Sequence, residues 1–394
     1  MNIIVFENNQ TNLLDPFSIN HAPFELRVGG LTNLERIEKL FSNDKIILIV
    51  REEIEGIIKD RFNDYLVNPQ EIPSGLCLNG AAIFNNEDLS LLDKEKPLSS
   101  ENNLIAFKLD KSIPKSDFNK ELTFALDITL ECKIQVIKYL WDLFRFSNQY
   151  IKIDFNSFIG NHNYKSHHSL IRLNEDNIHI GNDCNIKAGV ILDATNGPII
   201  LDDNSIINNG AILEGPIYIG KKSIISSSAL IKSNTVIGPM CKIGGEISSC
   251  NFLGFSNKVH DGFLGHSYIG EWVNIGAATN NSNLKNNYNN VNIIVDEKNM
   301  DTELQFLGSI IGDYSRMAIG TLLNTGSHVS FGVNLFNHDF SLKYIPPFSW
   351  GDDKIVDLDK FIATIASMKS RRNKLISENE INFIKNLYSK KISK

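Results

Sequence analysis

The chain has 394 residues, 42% of them hydrophobic and 22% charged, which is enough for two or three domains with real cores. A net charge of −7 argues against a general nucleic-acid binder. No apolar run approaches the roughly 20 residues of a membrane span, and the chain goes straight into a strand with no signal peptide, so a cytoplasmic protein without a membrane partner is expected. Five cysteines at irregular spacing make neither a disulfide framework nor a CxxC metal pair, and read as reduced packing residues.

Residues 2–6 (Asn-Ile-Ile-Val-Phe) read as a buried opening strand, followed by a polar stretch, 7–15, without glycine. Leu31, Leu34, Ile37, Leu40 and Phe41 have helical spacing behind Thr32 as a cap. Residues 46–50 are a second buried strand, 52–62 a helix, and 77–78 and 81–84 short strands. Residues 85–118 are charged and irregular and receive no element. Residues 134–144 are expected as a helix, and 150–155 close the unit. Strand, helix and strand in this order predict an open α/β domain over residues 1–158. Residues 160–168 are polar and aperiodic; His162, His167 and His168 lack Cys or carboxylate ligands at useful spacing, so a linker is expected rather than a metal site.

Then the period changes to six. Leu201, Ile207, Leu213, Ile219, Ile225, Ile231, Ile237 and Ile243 follow one another without a miss. A helix repeats every three to four residues and a flat strand every two, whereas a hexapeptide β-helix repeats every six. Each unit is a short strand and a turn, three units close a coil, and one aliphatic side chain per unit points to the axis. The register opens at Ile180, Ile186 and Leu192, slips by three through Asn196-Gly197-Pro198, and is lost between Gly244 and Val259. Phe263, Ile269 and Ile275 restore it, and Ile311, Met317, Leu323, Val329 and Leu335 form a third run. This β-helix is assigned residues 159–350. Residues 277–306 are an Asn-rich excursion, expected as a functional loop beside a neighbouring subunit. Residues 351–394 are a helical tail: Leu358, Ile362, Ile365 and Met368 are helix-spaced, and Ser377-Glu378-Asn379-Glu380 matches a capping box. The tail is expected to cover the open end of the coil stack.

The flat side of a β-helix offers no deep cleft, so sites are expected where coils of neighbouring subunits meet or where a loop folds over a face. His260 lies three positions before Phe263, near a corner. A neutral imidazole there can take a proton from an attacking amine or hydroxyl. Acyl transfer from a thioester needs that base and hydrogen-bond donors for the oxyanion, which Gly- and Asn-rich turns supply. Taken alone, a corner histidine is more often a plain surface residue.

The run His260-Asp261-Gly262-Phe263-Leu264-Gly265, continued by Ile269-Gly270-Glu271-Trp272-Val273-Asn274-Ile275-Gly276-Ala277, resembles the acetyltransferase segment of the GlmU family. That family joins a sugar-1-phosphate uridylyltransferase domain to a left-handed parallel β-helix. The chain is more similar still to a divergent GlmU-like group of sugar nucleotidyltransferases with a short first domain. The resemblance there lies in Leu13-Leu14-Asp15-Pro16, Glu25-Leu26-Arg27-Val28-Gly29, Trp141, Asp154-Phe155, residues 279–288 and Phe348-Ser349-Trp350-Gly351. The resemblance implies an α/β nucleotidyltransferase-like domain, a left-handed β-helix and a homotrimer. It implies His260 as catalytic base, and Lys258, Phe263, Asn274, Ala277 and Asn283 against substrate and acyl-CoA (acetyl-CoA). It also implies a sugar phosphate and a nucleoside triphosphate at the first domain, with Mg²⁺ where nucleotidyl transfer occurs. The chain departs from the pattern in residues 7–16, which hold neither glycine nor a cation and leave Arg27 as the obvious phosphate partner. It departs again at Ser248, where the family has a sugar-binding lysine, and at Leu284, where it has tyrosine.

Three functions follow. The chain is a transferase of both kinds, or a nucleotidyltransferase whose β-helix only trimerises and regulates, or a non-catalytic scaffold.

Overall fold

The computed structural model describes residues 1–92, 96–160, 162–336, 340–351 and 354–392. The opening strand Asn2–Phe6 has no polar residue after Asn2, and it lies between two parallel neighbours, Lys45–Ile49 and Gly75–Asn79. An all-apolar strand needs both faces covered, as a central parallel strand has. The sheet has seven strands in the order Leu130–Glu131, Leu98–Ser100, Asn103–Leu109, Gly75–Asn79, Asn2–Phe6, Lys45–Ile49, Leu66–Val67. Helix Asn33–Leu40 starts as expected: Thr32 Oγ1 accepts from Glu35 N, and the Glu35 carboxylate accepts from Thr32 N.

Three expectations for this domain change. Residues 98–109 carry two antiparallel-paired strands, where the sequence showed only an irregular stretch. Residues 81–84 do not form a strand; they touch 135–137 through Ile83 N to Gln135 O and Ile137 N to Ala81 O. That pairing holds 134–137 extended, so the helix expected at 134–144 begins later, as Asp142–Phe155. Asp142 sets the start, its carboxylate accepting from the backbone N–H of Lys138 and Tyr139.

From Lys165 onward, successive short strands visit three sheets in turn, of eleven, six and nine strands, parallel throughout except for the antiparallel last pair of the eleven-stranded sheet. This is a three-sided coil. Lys165–Ser166 already pairs with Asn185–Ile186, so the end of the expected linker is the first coil; residue 161 lies outside the described residues. All eight aliphatics from Leu201 to Ile243 are inward and fully buried. Ile219 pairs beside Ile237, a step of 18 residues, whereas Ile237 pairs beside Phe252, a step of 15. This shortened coil is the place where the sixfold count fails. Its backbone is tight enough that a Cβ on Gly238 would lie 1.9 Å from Leu253 O. Beyond it Leu264, not Phe263, is inward; Phe263 is half-exposed and its N–H donates to Asn280 Oδ1. Ile269, Ile275, Ile311, Met317, Leu323, Val329 and Leu335 take the inward positions expected of them.

The excursion is an antiparallel hairpin, Asn292–Val295 with Lys298–Asp301, and it is not free to meet another subunit along its apolar side. Val291, Ile293 and Val295 are buried in one cluster with Leu14, Phe17 and Trp141 of the first domain. The tail helices Leu358–Ser370 and Glu378–Ile392 also differ from expectation. They lie along a corner of the coil stack, on Trp272, Tyr314, Phe331 and Phe348, rather than across its end. Aromatic residues at successive corners make an apolar strip that an amphipathic helix covers. Ser377 caps the second helix by accepting from Glu380 N. The first domain covers the outward face of the nine-stranded sheet, burying Ile200, Tyr218, Val236, Tyr268 and Ile310. Among the described residues no helix is long and apolar enough to cross a membrane.

Candidate functional site

His260 lies on the turn between strands Asn257–Lys258 and Phe263–Gly265, near a corner, and its side chain is exposed. Lys258 explains how that turn is held. In register it stands between Ile243 and Ile275, in an inward aliphatic column, and it is 1% exposed. Its ammonium donates to Gly244 O (3.3 Å), His260 O (2.9 Å) and Asp261 O (3.1 Å). Burial, only partly opposed by Asp261, presses its pKa down to about 8. The expected contact of Lys258 with substrate is therefore corrected: its amine is engaged inside the coil, and it positions the His260 turn from behind.

The residues expected around His260 lie on different faces. Asn274 is exposed on the eleven-stranded sheet, with Ala277 half-buried at the following turn. Phe263 and Asn283 lie around another corner. There Asn283 Nδ2 is 2.9 Å from His266 Nδ1, and the His266 ring stacks on Phe306 at 5.3 Å. Burial lowers the His266 pKa, which favours the neutral ring. Sequence reasoning missed His266, although it closes the same Phe-Leu-Gly-His run that follows His260.

On the Asn274 side a cavity of about 500 Å³ opens between the eleven-stranded sheet and the first tail helix. Val259, next to His260, lines it, with Lys242, Asn274, Arg316, Arg371 and Arg372.

The first domain has its own cavity, about 590 Å³, at the C-terminal ends of strands Asn2–Phe6 and Lys45–Ile49. Open α/β sheets bind ligands at that edge. Arg51 and Lys115 line it, cations found by the fold and not by the local sequence. Arg51 is held by the Glu7 carboxylate and by Ser18 O, and Lys115 lies 3.2 Å from Glu55. Burial outweighs Arg51 and raises Glu7 to about 7. Arg27, the expected phosphate partner, is corrected. It is 6% exposed, donates to Gly30 O (2.5 Å), pairs with Glu35 (3.1 Å) and lies 5.3 Å over the Tyr218 ring, joining the two domains. Mg²⁺ does not fit this cavity: Glu7 and Glu52 are its only carboxylates among the described residues, and Glu7 is bound to Arg51 and half protonated near neutrality.

Among the described residues a single group has metal-ligand geometry, His21, Glu271 and Asp313, with ligand atoms within 4.8 Å of one another. Both nitrogens of His21 are engaged, Nε2 at 2.8 Å from Asp313 and Nδ1 at 3.1 Å from Glu25. Burial and Arg61 press the His21 pKa down, but Glu25 and Asp313 outweigh them and hold it at about 9. Both ring nitrogens already face carboxylates and Arg61 lies 2.8 Å from Nδ1, so this group acts as an ion-pair lock between the first domain and the coils.

Residues 3–163 match a protein-family model described as sugar nucleotidyl transferase. The match covers the first domain and its exit, not the coils. No curated protein matches the chain. Among solved structures, a hexapeptide transferase family protein from Anaplasma phagocytophilum is 12% identical, covering 58% of this chain and 89% of that one, with a TM-score of 0.11. The family match places the cavity at Glu7, Arg51 and Lys115 inside the matched segment, with the structural motif Glu25 to Gly29. That motif serves architecture: Glu25 is held at about 2, where burial would raise it, by Arg61 and His21. A Cβ on Gly29, at φ +76°, would lie 2.6 Å from Asp154, whose carboxylate takes both Arg36 amines.

Proposed function

We propose that the chain is a sugar-nucleotide transferase of the GlmU-like kind, whose left-handed β-helix moves an acyl group from acyl-CoA to a sugar amine or hydroxyl. The observation that supports this most is the exposed imidazole of His260 on a turn anchored by a buried ammonium. In this reading His260 takes the proton of the sugar nucleophile as it attacks the thioester carbonyl. The tetrahedral oxyanion collapses, the C–S bond breaks, and the proton returns to the departing thiolate. Asn274 and Ala277 would flank one reactant and Phe263 and Asn283 another, and a homotrimer would bring a second copy to the seam beside His260. The test is CoA release from acetyl-CoA with a panel of amino-sugar phosphates. His260→Ala should lose roughly 10²- to 10⁴-fold in kcat. No thioester cleavage by the wild type with any acceptor ends the reading.

A second reading makes the first domain the enzyme, joining a nucleoside triphosphate to a sugar-1-phosphate, with the β-helix trimerising and regulating. The family match favours it, whereas the cavity at the strand ends lacks, among the described residues, the carboxylates that would hold Mg²⁺. Its test is pyrophosphate release, lowered by Arg51→Ala. If neither substrate pair reacts, a non-catalytic scaffold is the remaining reading.

A further inference from the structure

We infer that His162 and His179 bind a divalent transition metal of the zinc and nickel kind, fastening the exit of the first domain to the first coil. His179 is the middle residue of strand Ile178–Ile180 and takes the outward position, in line with Ile200, Tyr218 and Val236 on the next rungs. That column is buried under the first domain, and Ile200 shows that an aliphatic suits the place. Tyr218, the other polar member, donates its hydroxyl to Asp202 at 2.8 Å. His179 has no such outlet: it is 7% exposed, and among the described residues no hydrogen bond reaches its ring. His162, just ahead of the first coil strand, meets it with ring centroids 4.8 Å apart at 86°. Both nitrogens of His162 are closed off from solvent and lack a hydrogen-bond partner among the described residues.

Two unpaired imidazoles buried side by side are costly, and a cation that takes their lone pairs offsets the cost. Burial and His162 hold the His179 pKa down at about 4 against the pull of Asp203, so the ring is neutral and keeps a lone pair. Metal–nitrogen bonds of about 2.1 Å put each ring centre ~3.2 Å from the ion, so two imidazoles at a tetrahedral angle have centres ~5 Å apart. The observed 4.8 Å is close to that separation. Imidazole nitrogen selects zinc, nickel or copper over magnesium and calcium, which take oxygen cages. No third His, Cys or carboxylate among the described residues stands within ligand reach of the pair, so the remaining positions open onto an adjoining cavity of about 320 Å³. Glu175 on its wall is held by Arg172 at 2.7 Å, whereas Asp176 has no ion pair among the described residues and is free to complete the ion. The ligand that the sequence lacked beside His162 thus comes from the coil.

The experiment is equilibrium dialysis and calorimetric titration of the chelator-stripped full chain with Zn²⁺ alone. The wild type should bind about one ion per chain at this site, and His162→Ala and His179→Ile should each lose roughly ten- to a hundredfold in affinity. His179→Ile repeats the residue of the next rung, so it keeps the fold, and without metal it should melt at or above the wild type. Zn²⁺ should raise the melting temperature of the wild type and leave both variants unmoved at the same concentration. Neither readout depends on a reaction at His260 or in the first domain. Equal affinities in wild type and both variants, or no bound ion at saturation, overturns the inference. So does binding that survives in His179→Ile and disappears in the double variant His167→Ala/His168→Ala, whose exposed rings lie 4.1 Å apart.

Discussion

Lys258 shows how a single residue can look like a ligand contact in the sequence and behave otherwise in the fold. It fills a core column, yet carries a charge that three carbonyls must satisfy. Its folded pKa of about 8 lies below the ordinary lysine value of 10.5, so between those pH values the unfolded chain binds more protons than the native one. Stability from this group therefore rises with pH across that window. Thermal melts of wild type and Lys258→Met at pH 8 and 10 should show the wild type gaining on the variant as pH rises. The same variant should lower kcat of any His260-dependent reaction more than it raises KM, because the imidazole loses its anchor and not its contacts with substrate.

At the scale of elements, the coil rests on stacked aliphatics. Ile225 lies between Ile207 and Ile243 and is fully buried, so Ile225→Ala should cost about 2–5 kcal/mol in urea unfolding. Ile224, its half-exposed neighbour, should cost about 1 kcal/mol or less on the same change. The period of six made these columns legible from Ile180 to Ile243, and the fold agrees residue by residue. It failed where coils shorten, because steps of 15 and 17 residues in place of 18 shift which residue is inward, as at Lys258 and Leu264. The row of residues along the cavity beside the first tail helix was hidden for the same reason. Each rung sits one place before an inward residue, so Lys242, Asn257, Asn274 and Arg316 line up only once the steps between coils are known. In the first domain the helix expected at 134–144 moved because the Asp142 carboxylate holds the backbone N–H of Lys138 and Tyr139 outside the helix, and pairing with residues 81–83 keeps 135–137 extended. The cations of the first-domain cavity come from residues 51 and 115, far from the loop where a phosphate partner was sought.

For the molecule as a whole, the junction between domains is a charged lock around His21. Facing the ring are Glu25 and Arg61 from the first domain and Asp313 and Glu271 from the coils, with Phe17 stacked against it at 4.8 Å. The folded pKa of about 9 exceeds the ordinary histidine value of 6.5. The stabilisation is complete below about 6.5 and is lost as pH rises through about 9. Domain separation, followed by limited proteolysis at the junction, should accelerate from pH 6.5 to 9 in the wild type. In His21→Gln it should be fast throughout and nearly independent of pH over that range.

The docking of the first domain on one face of the coils also makes that face a ruler. Arg27 reads the rung of Tyr218, the Arg27 carbonyl accepts from Asn251, Phe17 meets Tyr268, and Asp15 reaches His328. Tyr218 to His328 spans five strand steps, about 24 Å at the usual spacing. An inserted or deleted turn between those marks would throw the upper contacts out of step with the lower ones by one full strand width. A turn added ahead of Ile180 would leave every mark where it is, so growth of this solenoid is permitted at one end and forbidden in its middle.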